Sequence, residues 1–281
     1  MAARNLGSTG SPDGAGTNGA GINGAGANGQ PGGTDSAGTP WAGRHFEGNT
    51  WDEDDGLVPE RLFEALRRFR SSELGESEVI EALRGSRLLI PLIAELGESG
   101  HNEHGHMIDK SQELSIVTVS GPDGRTVLPA FTSVDSMRAW NPTARPVPAD
   151  AARIAIAAAS ENTDLVVIDP TSPTEFVVRR PALWAIAQDL PWTPSYLDEA
   201  VLDAFADAAR TESAVVSVGL AAGDPGSTLA GPELVVLLTI ANGLDRAALA
   251  GVTARLQALW SQSEVIATRV DSLRVQLVAA G

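Results

Sequence analysis

The stretch GPDGRTVLPAFTSVDSMRAWNP, residues 121–142, contains a turn, a strand, a helix start and a helix stop in one run. Pro122 and Gly124 favour a tight turn between ELSIVTVS and RTVLPAFTS, which predicts a β-hairpin. Thr132 stands three residues before Asp135, the spacing of a capping box, and predicts a short helix over VDSMRAW that ends at Trp140. No arrangement of side chains in this run can perform a reaction, so we interpret it as architecture.

The segments around this stretch alternate helical and extended patterns. From Pro59, apolar residues at helical spacing predict a first helix, and ESEVIEALRG predicts a second that ends at Gly85. RLLIPLIAEL predicts a buried strand, which Pro91 places at a sheet edge or a bulge. Further elements in chain order are a helix over 149–159, strands at DLVVIDP and TEFVVRR, and a helix at PALWAIAQDL.

The last third of the chain predicts a second small sheet with helices. The elements are a helix over 197–210, strands over 214–220 and 233–240, a helix over 245–260, and one or two final strands over 265–270 and 273–278. This αββαβ order suggests an antiparallel or mixed sheet packed on helices. We therefore predict an α+β fold of two small mixed-sheet and helix domains after a disordered Gly-rich tail. The predicted boundaries are 1–55 for the tail and arm, 56–193 and 194–281.

The first 55 residues have the composition of a disordered segment. NGAGINGAGANGQPGG contains almost no large apolar side chain, so it cannot offset its ordering entropy. Its G-x-G-x-x-G matches have neither the strand nor the helix that a dinucleotide site needs. We expect Trp41, Phe46 and Trp51 to dock onto the folded body or to contact a partner. We interpret the acidic cluster at 52–55 as a solvated hinge.

Composition excludes several classes of function. The 281 residues include no cysteine, which rules out thiolate nucleophiles, disulfides and cysteine metal sites. The net charge of −16 argues against direct binding to nucleic acid or to an anionic membrane. The N-terminal residues lack a signal-peptide core, and the longest apolar runs are far shorter than a membrane span. We therefore expect a cytoplasmic protein.

Two groups of polar residues are candidates for a site. His101, His104 and His106 form an H-x-x-H-x-H pattern near carboxylates, which is compatible with a metal, but it lacks the helical spacing of zinc proteases. We predict no catalytic, cofactor or metal residue, and the histidine loop remains an alternative. A second group lies near predicted strand ends and could converge on an anionic metabolite or a partner, or else form surface ion pairs. Its members are Asp109, Lys110, Asp169, Arg179 and Arg180.

The stretch DKSQELSIVTVSGPDGRTVLPAFTSVDSMRAW resembles the N-terminal domain of the SseB family, the enhanced serine sensitivity proteins. The family's hallmark is a hairpin that leads into L-P-x-F-T-S and a short helix ending in Trp. The resemblance continues from about Pro40 to the C-terminus and looks actinobacterial, with a looser match in the C-terminal half. It is seen in PWAGRHFEGN, RLLIPLIAELGE, NTDLVVIDPTSPTEFVVRRPALWAIAQDLPWTPS, LAGPELVVLLTI and SEVIATRVDSLRV.

The resemblance implies no catalytic residue. The family is associated with serine sensitivity and with rhodanese-like sulfur transfer, but a sulfane sulfur is held on a cysteine, which this chain lacks. We therefore expect a non-enzymatic cytoplasmic protein-interaction or regulatory module that has a protein partner and no cofactor. The alternatives are a sensor of an anionic metabolite and a metal-dependent enzyme that uses the histidine loop.

Overall fold

The structure is a computed structural model that describes residues 54–94, 114–161 and 163–280. It begins with two helices, α1 (Glu60–Arg70) and α2 (Glu76–Arg84), which confirm the predicted pair. Leu62, Leu66 and Phe69 recur at helical spacing, so α1 buries one apolar face. Gly85 ends α2, as predicted.

An antiparallel sheet and a mixed sheet follow. Their first strands are β1 (Arg87–Ala94), β2 (Leu114–Ile116), β3 (Val119–Ser120), β4 (Thr126–Ala130) and β5 (Arg145–Asp150). One sheet has the order β2-β1-β5, and β4 belongs to a second sheet. The predicted hairpin is confirmed, because Val119 pairs with Val127 across a turn in which Gly124 has a φ of +83°. The run ELSIVTVS is divided between the two sheets, whereas we predicted one strand.

Pro91 lies in the central strand of its sheet, so the prediction of an edge was wrong. Leu89 exchanges both backbone hydrogen bonds with Phe131, which means that Leu89 and Pro91 turn their N–H sides away from β5. Pro91 faces the gap between Phe131 and the start of the β2 pairing at Leu92. A missing N–H costs no ladder bond there, which is why the strand accepts a proline.

The second sheet carries the main core. It has the order β3-β4-β6-β7, with β6 (Leu165–Ile168) parallel to β4 and antiparallel to β7 (Phe176–Arg179). Helices α4 (Ala151–Ser160) and α5 (Arg180–Ala187) bury their apolar side chains with α1 and α2 in one cluster that includes Leu128, Val166 and Val178. All four residues of β6 are buried, as its unbroken apolar run predicts.

The short helix after β4, α3 (Val134–Trp140), is capped differently from our prediction. Ser133 is its N-cap, and its hydroxyl accepts a hydrogen bond from Ser136 N. Thr132 bonds elsewhere, since its backbone N–H and its hydroxyl both donate to Asp169. The predicted capping box is therefore displaced by one residue.

The C-terminal part forms a three-stranded sheet with helices. A 3₁₀ helix (Ser195–Leu197) and α6 (Glu199–Ala209) precede β8 (Val215–Ala222) and β9 (Leu234–Ile240). Then follow α7 (Arg246–Trp260), α8 (Glu264–Arg269) and β10 (Leu273–Ala279). The order is β10-β9-β8, with β10 parallel and β8 antiparallel to β9.

The strand predicted over 265–270 was wrong, because residues 265–269 lie in α8. Ser263 caps the helix by accepting a hydrogen bond from Ile266 N, and Ile266 is buried in the C-terminal core. Serine is a favoured N-cap residue, but we interpreted the apolar residues of 265–270 as a strand and did not use this signal. The α+β fold class is confirmed, and the boundary between 56–193 and 194–281 stays a prediction.

The acidic segment before α1 was also interpreted wrongly at Asp54. Its carboxylate lies 2.6 Å from Nη2 of Arg87, whose side chain is buried. Arg87 also donates to the carbonyl oxygens of Leu57 and Thr132, so Asp54 completes a buried polar group at the start of β1.

As for membranes, the described ranges contain no helix with both the length and the apolar character that a crossing requires.

Candidate functional site

Asp169 directly follows β6 and is almost completely buried. Its φ of +44° is in the left-handed region, where Asp and Asn are tolerated better than most residues. Its carboxylate accepts hydrogen bonds from Thr132 N at 2.8 Å, Thr132 Oγ1 at 2.6 Å and Ser136 Oγ at 2.7 Å. A fourth comes from Thr174 Oγ1 at 3.1 Å.

These four hydrogen bonds give Asp169 a structural role. A carboxylate has about four lone-pair sites, so four donors occupy its acceptor capacity. The donors lie at the end of β4, in α3 and before β7, and the carboxylate therefore ties the LPAFTS segment to the loop after β6. All four acceptor sites of the Asp169 carboxylate are therefore used by hydrogen bonds that hold described segments together.

Arg179 ends β7 and is buried among carboxylates of the C-terminal part. Its Nη2 lies 2.7 Å from Asp224 Oδ2, and its Nη1 lies 3.0 Å from Asp271 Oδ2. Nη2 also donates to the carbonyl oxygen of Gly231. These contacts therefore join the end of β7 to the C-terminal part of the chain, which contains β8, β9 and β10.

More charged groups surround Arg179, and we call the set the junction cluster. Asp271 also accepts two hydrogen bonds from Arg125 Nη1, and its backbone N–H donates to Glu233 Oε2 at 2.5 Å. Carboxylates outnumber guanidiniums in this set, which gives it an excess of negative charge. Its members are Glu76, Arg125, Arg179, Asp224, Glu233 and Asp271.

Burial perturbs the two glutamates of the junction cluster. Burial raises the pKa of Glu76 to about 7, and the negative charge of Glu233 adds to the rise. Burial likewise raises the pKa of Glu233. Tyr196 lies beside them, and burial together with both glutamates raises its pKa to about 12. Glu76 therefore exchanges a proton near neutral pH.

Arg180 points to a different surface and stacks on a tryptophan. Its guanidinium carbon lies 5.0 Å from the centroid of the Trp184 ring, and Nη2 donates to the carbonyl oxygens of Ala267 and Val270. Trp184 is 42% exposed and borders a groove of about 440 Å³, which we call the tryptophan groove. The groove is lined by Pro181, Trp184, Ala185, Gln188, Leu190, Pro191, Trp192, Thr193, Asp198, Thr268 and Arg269.

Of the predicted polar residues that the structure describes, Asp169 lies apart from Arg179. Asp169 follows the end of β6 that pairs with Phe176, whereas Arg179 pairs with Leu165 at the other end of the strand. Asp109 and Lys110 lie outside the described residues, as do the histidines at 101, 104 and 106. Among the residues that the structure does describe, no group of three or more His, Asp or Glu side chains could hold a metal ion.

Sequence reasoning missed the partners of Arg179 and the tryptophan groove. Asp224 and Asp271 are separated from Arg179 by 45 and 92 residues, so no local pattern connects them. Trp184 had a visible signal, because the run PALWAIAQDLPWTPS places two tryptophans among prolines. We interpreted that run only as a helix and a turn.

Comparison with known proteins assigns part of the chain to a family model. Residues 62–185 match the model of the SseB protein N-terminal domain. This range, somewhat less than half of the chain, includes Asp169, Arg179 and Trp184, and it supports the SseB resemblance. No curated protein and no solved structure matches the chain significantly.

Proposed function

We propose that the chain is an SseB-family protein of the actinobacterial type that acts in the cytoplasm as a protein-interaction or regulatory module and catalyses no reaction. The family match over residues 62–185 supports the first part. The family's association with serine sensitivity points to a regulatory setting.

The observation that carries the proposal is the tryptophan groove. Its rim exposes Trp184 and Leu190, and the guanidinium carbon of Arg180 lies over the Trp184 ring, 5.0 Å from its centroid. Trp, Arg and other large side chains around a depression are typical of the residues that dominate protein interfaces. An exposed tryptophan on a rigid helix is also preorganised for contact, because α5 is anchored in the core by Leu183 and Ile186.

Charge indicates what kind of partner fits the groove. The chain carries a net charge of −16, and the two charged residues that line the groove, Asp198 and Arg269, pair with each other. Long-range attraction favours a partner of opposite charge and accelerates its association. We therefore propose a basic protein segment with apolar side chains as the occupant.

A sensor of an anionic metabolite has less support. It would need guanidinium groups that are open to a ligand, but Arg179 is buried between Asp224 and Asp271. Arg180 bonds to two carbonyl oxygens and stacks on Trp184. Both arginines therefore act within the fold and the groove.

Affinity purification with a matched pair of variants tests the proposal. Full-length wild type, Trp184→Ala and Phe63→Ala are each used as bait in a native cytosolic extract, and bound proteins are quantified by mass spectrometry. Phe63 is the control, because it is an aromatic residue on a helix that is 46% exposed and does not line the groove. The best-enriched protein is then purified and its Kd is measured.

Loss of a central tryptophan costs about 2 kcal/mol or more, which corresponds to a roughly thirtyfold weaker Kd. We expect this loss for Trp184→Ala and a change of less than about twofold for Phe63→Ala. Equal binding by all three baits would contradict the groove as the interaction surface. Turnover of a metabolite by the purified chain would contradict the non-enzymatic assignment.

A further inference from the structure

The outer edge of the C-terminal sheet is formed by β10, which pairs only with β9 among the described residues. Ser272 O accepts a hydrogen bond from Leu234 N, and Ala280 N donates to Ile240 O, so the even-numbered residues direct their backbone groups toward β9. N–H and C=O groups alternate in direction along a strand. Val275 and Leu277 therefore present their N–H and C=O groups to the open side.

This edge lacks the usual protection against pairing. Natural edge strands carry charges, prolines or bulges that prevent another strand from adding to them. In contrast, β10 reads LRVQLVA, with Arg274 as its one charged residue, no proline and an unbroken register with β9. Leu273 and Leu277 share the helix-facing side with the partly buried Val275, and Leu277 is 42% exposed.

An apolar groove of about 360 Å³ lies on the helix side of β10, at its beginning. Trp260, Ile266, Val270 and Leu273 line it with groups from α7, α8 and the start of the strand. Trp260 Nε1 is buried and has no hydrogen-bond partner in the described part of the chain. A strand that adds to β10 directs alternate side chains toward this side of the sheet, where the groove can accept an apolar one.

We propose that β10 and this groove bind an extended peptide segment by strand addition. The backbone of the segment pairs with the outward groups of Val275 and Leu277, and an apolar side chain enters the groove, as in other cases of strand addition to a sheet edge. This surface is separate from the tryptophan groove, and either one can fail its test without affecting the other.

Charge favours a peptide, and not a second copy of the chain, as the partner that binds β10. Arg274 is exposed and forms no ion pair with a described residue, and β10 has no acidic residue. An acidic residue in the bound segment complements Arg274. Two copies of a chain with a net charge of −16 repel each other over long range, which disfavours self-pairing of this edge.

Selection from a phage-displayed library of random ten-residue peptides on the immobilised full chain tests this inference. The enriched peptides are synthesised, and their Kd values are measured by fluorescence anisotropy. We expect apolar residues at alternate positions and an acidic residue among them.

Three variants separate the contributions. Leu277→Pro removes one outward N–H without touching the β9 ladder and should weaken binding about fivefold or more. Leu277→Ala shortens the same side chain, keeps that N–H, and should change the Kd less than Leu277→Pro does. Arg274→Glu should weaken binding of peptides that carry this acidic residue about two- to fivefold. Thermal unfolding of each variant establishes that it is folded.

Two results would overturn the proposal. One is that no peptide is enriched, or that the enriched peptides bind Leu277→Pro and Arg274→Glu as tightly as the wild type. The other is concentration-dependent self-association in sedimentation experiments that Leu277→Pro abolishes, since this would assign the edge to a second copy.

Discussion

The guanidinium of Arg179 lies 2.7 Å from the carboxylate of Asp224, and the two side chains are only 6% and 2% exposed. Arg179 ends a strand of the family-matched range, whereas Asp224 lies in the loop after β8. Asp224 also accepts hydrogen bonds from Thr228 N and Leu229 N, which fixes that loop. The pair therefore links the SseB-like part to the C-terminal sheet through a buried charge contact.

Removal of Arg179 should destabilise the chain strongly. Arg179→Met leaves Asp224 and Asp271 buried without their counter-charge, and breaking a buried pair in this way costs about 3–5 kcal/mol. Arg67→Met is the control, because Arg67 and Glu64 form an exposed pair whose loss should change the stability little. Urea unfolding measures both. Similar losses in the two variants would show that the Arg179 contacts contribute no more than a surface pair.

The two aspartates that flank β6 should behave differently. Asp169→Ala leaves the backbone N–H of Thr132 and three hydroxyl groups without their acceptor, which should lower the free energy of unfolding by about 2–4 kcal/mol. Asp164 precedes the same strand and is exposed, so Asp164→Ala should cost less than about 0.5 kcal/mol. Thermal and urea unfolding distinguish the two. An equal effect would contradict the role assigned to Asp169.

Most helices and strands followed from local sequence, whereas the junction cluster did not. The turn at Gly124, the glycine at the end of α2 and the apolar run of β6 are signals within a few residues. In contrast, Arg125 and Asp271 are 146 residues apart, and only the folded chain brings them together. Asp169 was a candidate by its position at a strand end, but its four donors could not be inferred.

The errors have local physical reasons. RPVPAD contains two prolines and was not predicted as a strand, yet β5 forms there as an edge. Pro146 and Pro148 lie opposite Pro91 and Leu89, positions that turn their nitrogens away from β1. At 265–270, the cap at Ser263 and the burial of Ile266 outweigh the β-branched composition.

Stability should depend on pH through Glu76. The pKa of Glu76 is about 7 in the folded chain, whereas its ordinary value, expected in the unfolded chain, is 4.5. Between these two pH values the folded chain therefore binds more protons than the unfolded chain. The stabilisation from protonated Glu76 is complete below about pH 4.5 and is lost as the pH rises through about 7. Glu76→Gln lacks this titration and should gain roughly 1–3 kcal/mol relative to the wild type between about pH 5 and pH 8. Urea unfolding across this range checks the difference, and curves that stay parallel would contradict it.

Two glycines should respond to alanine with opposite signs. A Cβ on Gly223 would overlap the carbonyl oxygen of Pro232, where the loop after β8 closes on itself, and backbone cannot move aside cheaply. Gly223→Ala should therefore cost about 1–3 kcal/mol. A Cβ on Gly251, inside α7, would meet only the mobile end of Arg255, so Gly251→Ala should stabilise the chain by about 0.5–1 kcal/mol through helix propensity. Thermal unfolding of both variants decides the matter, because a shift of the same sign in each would contradict the close packing of the Gly223 loop.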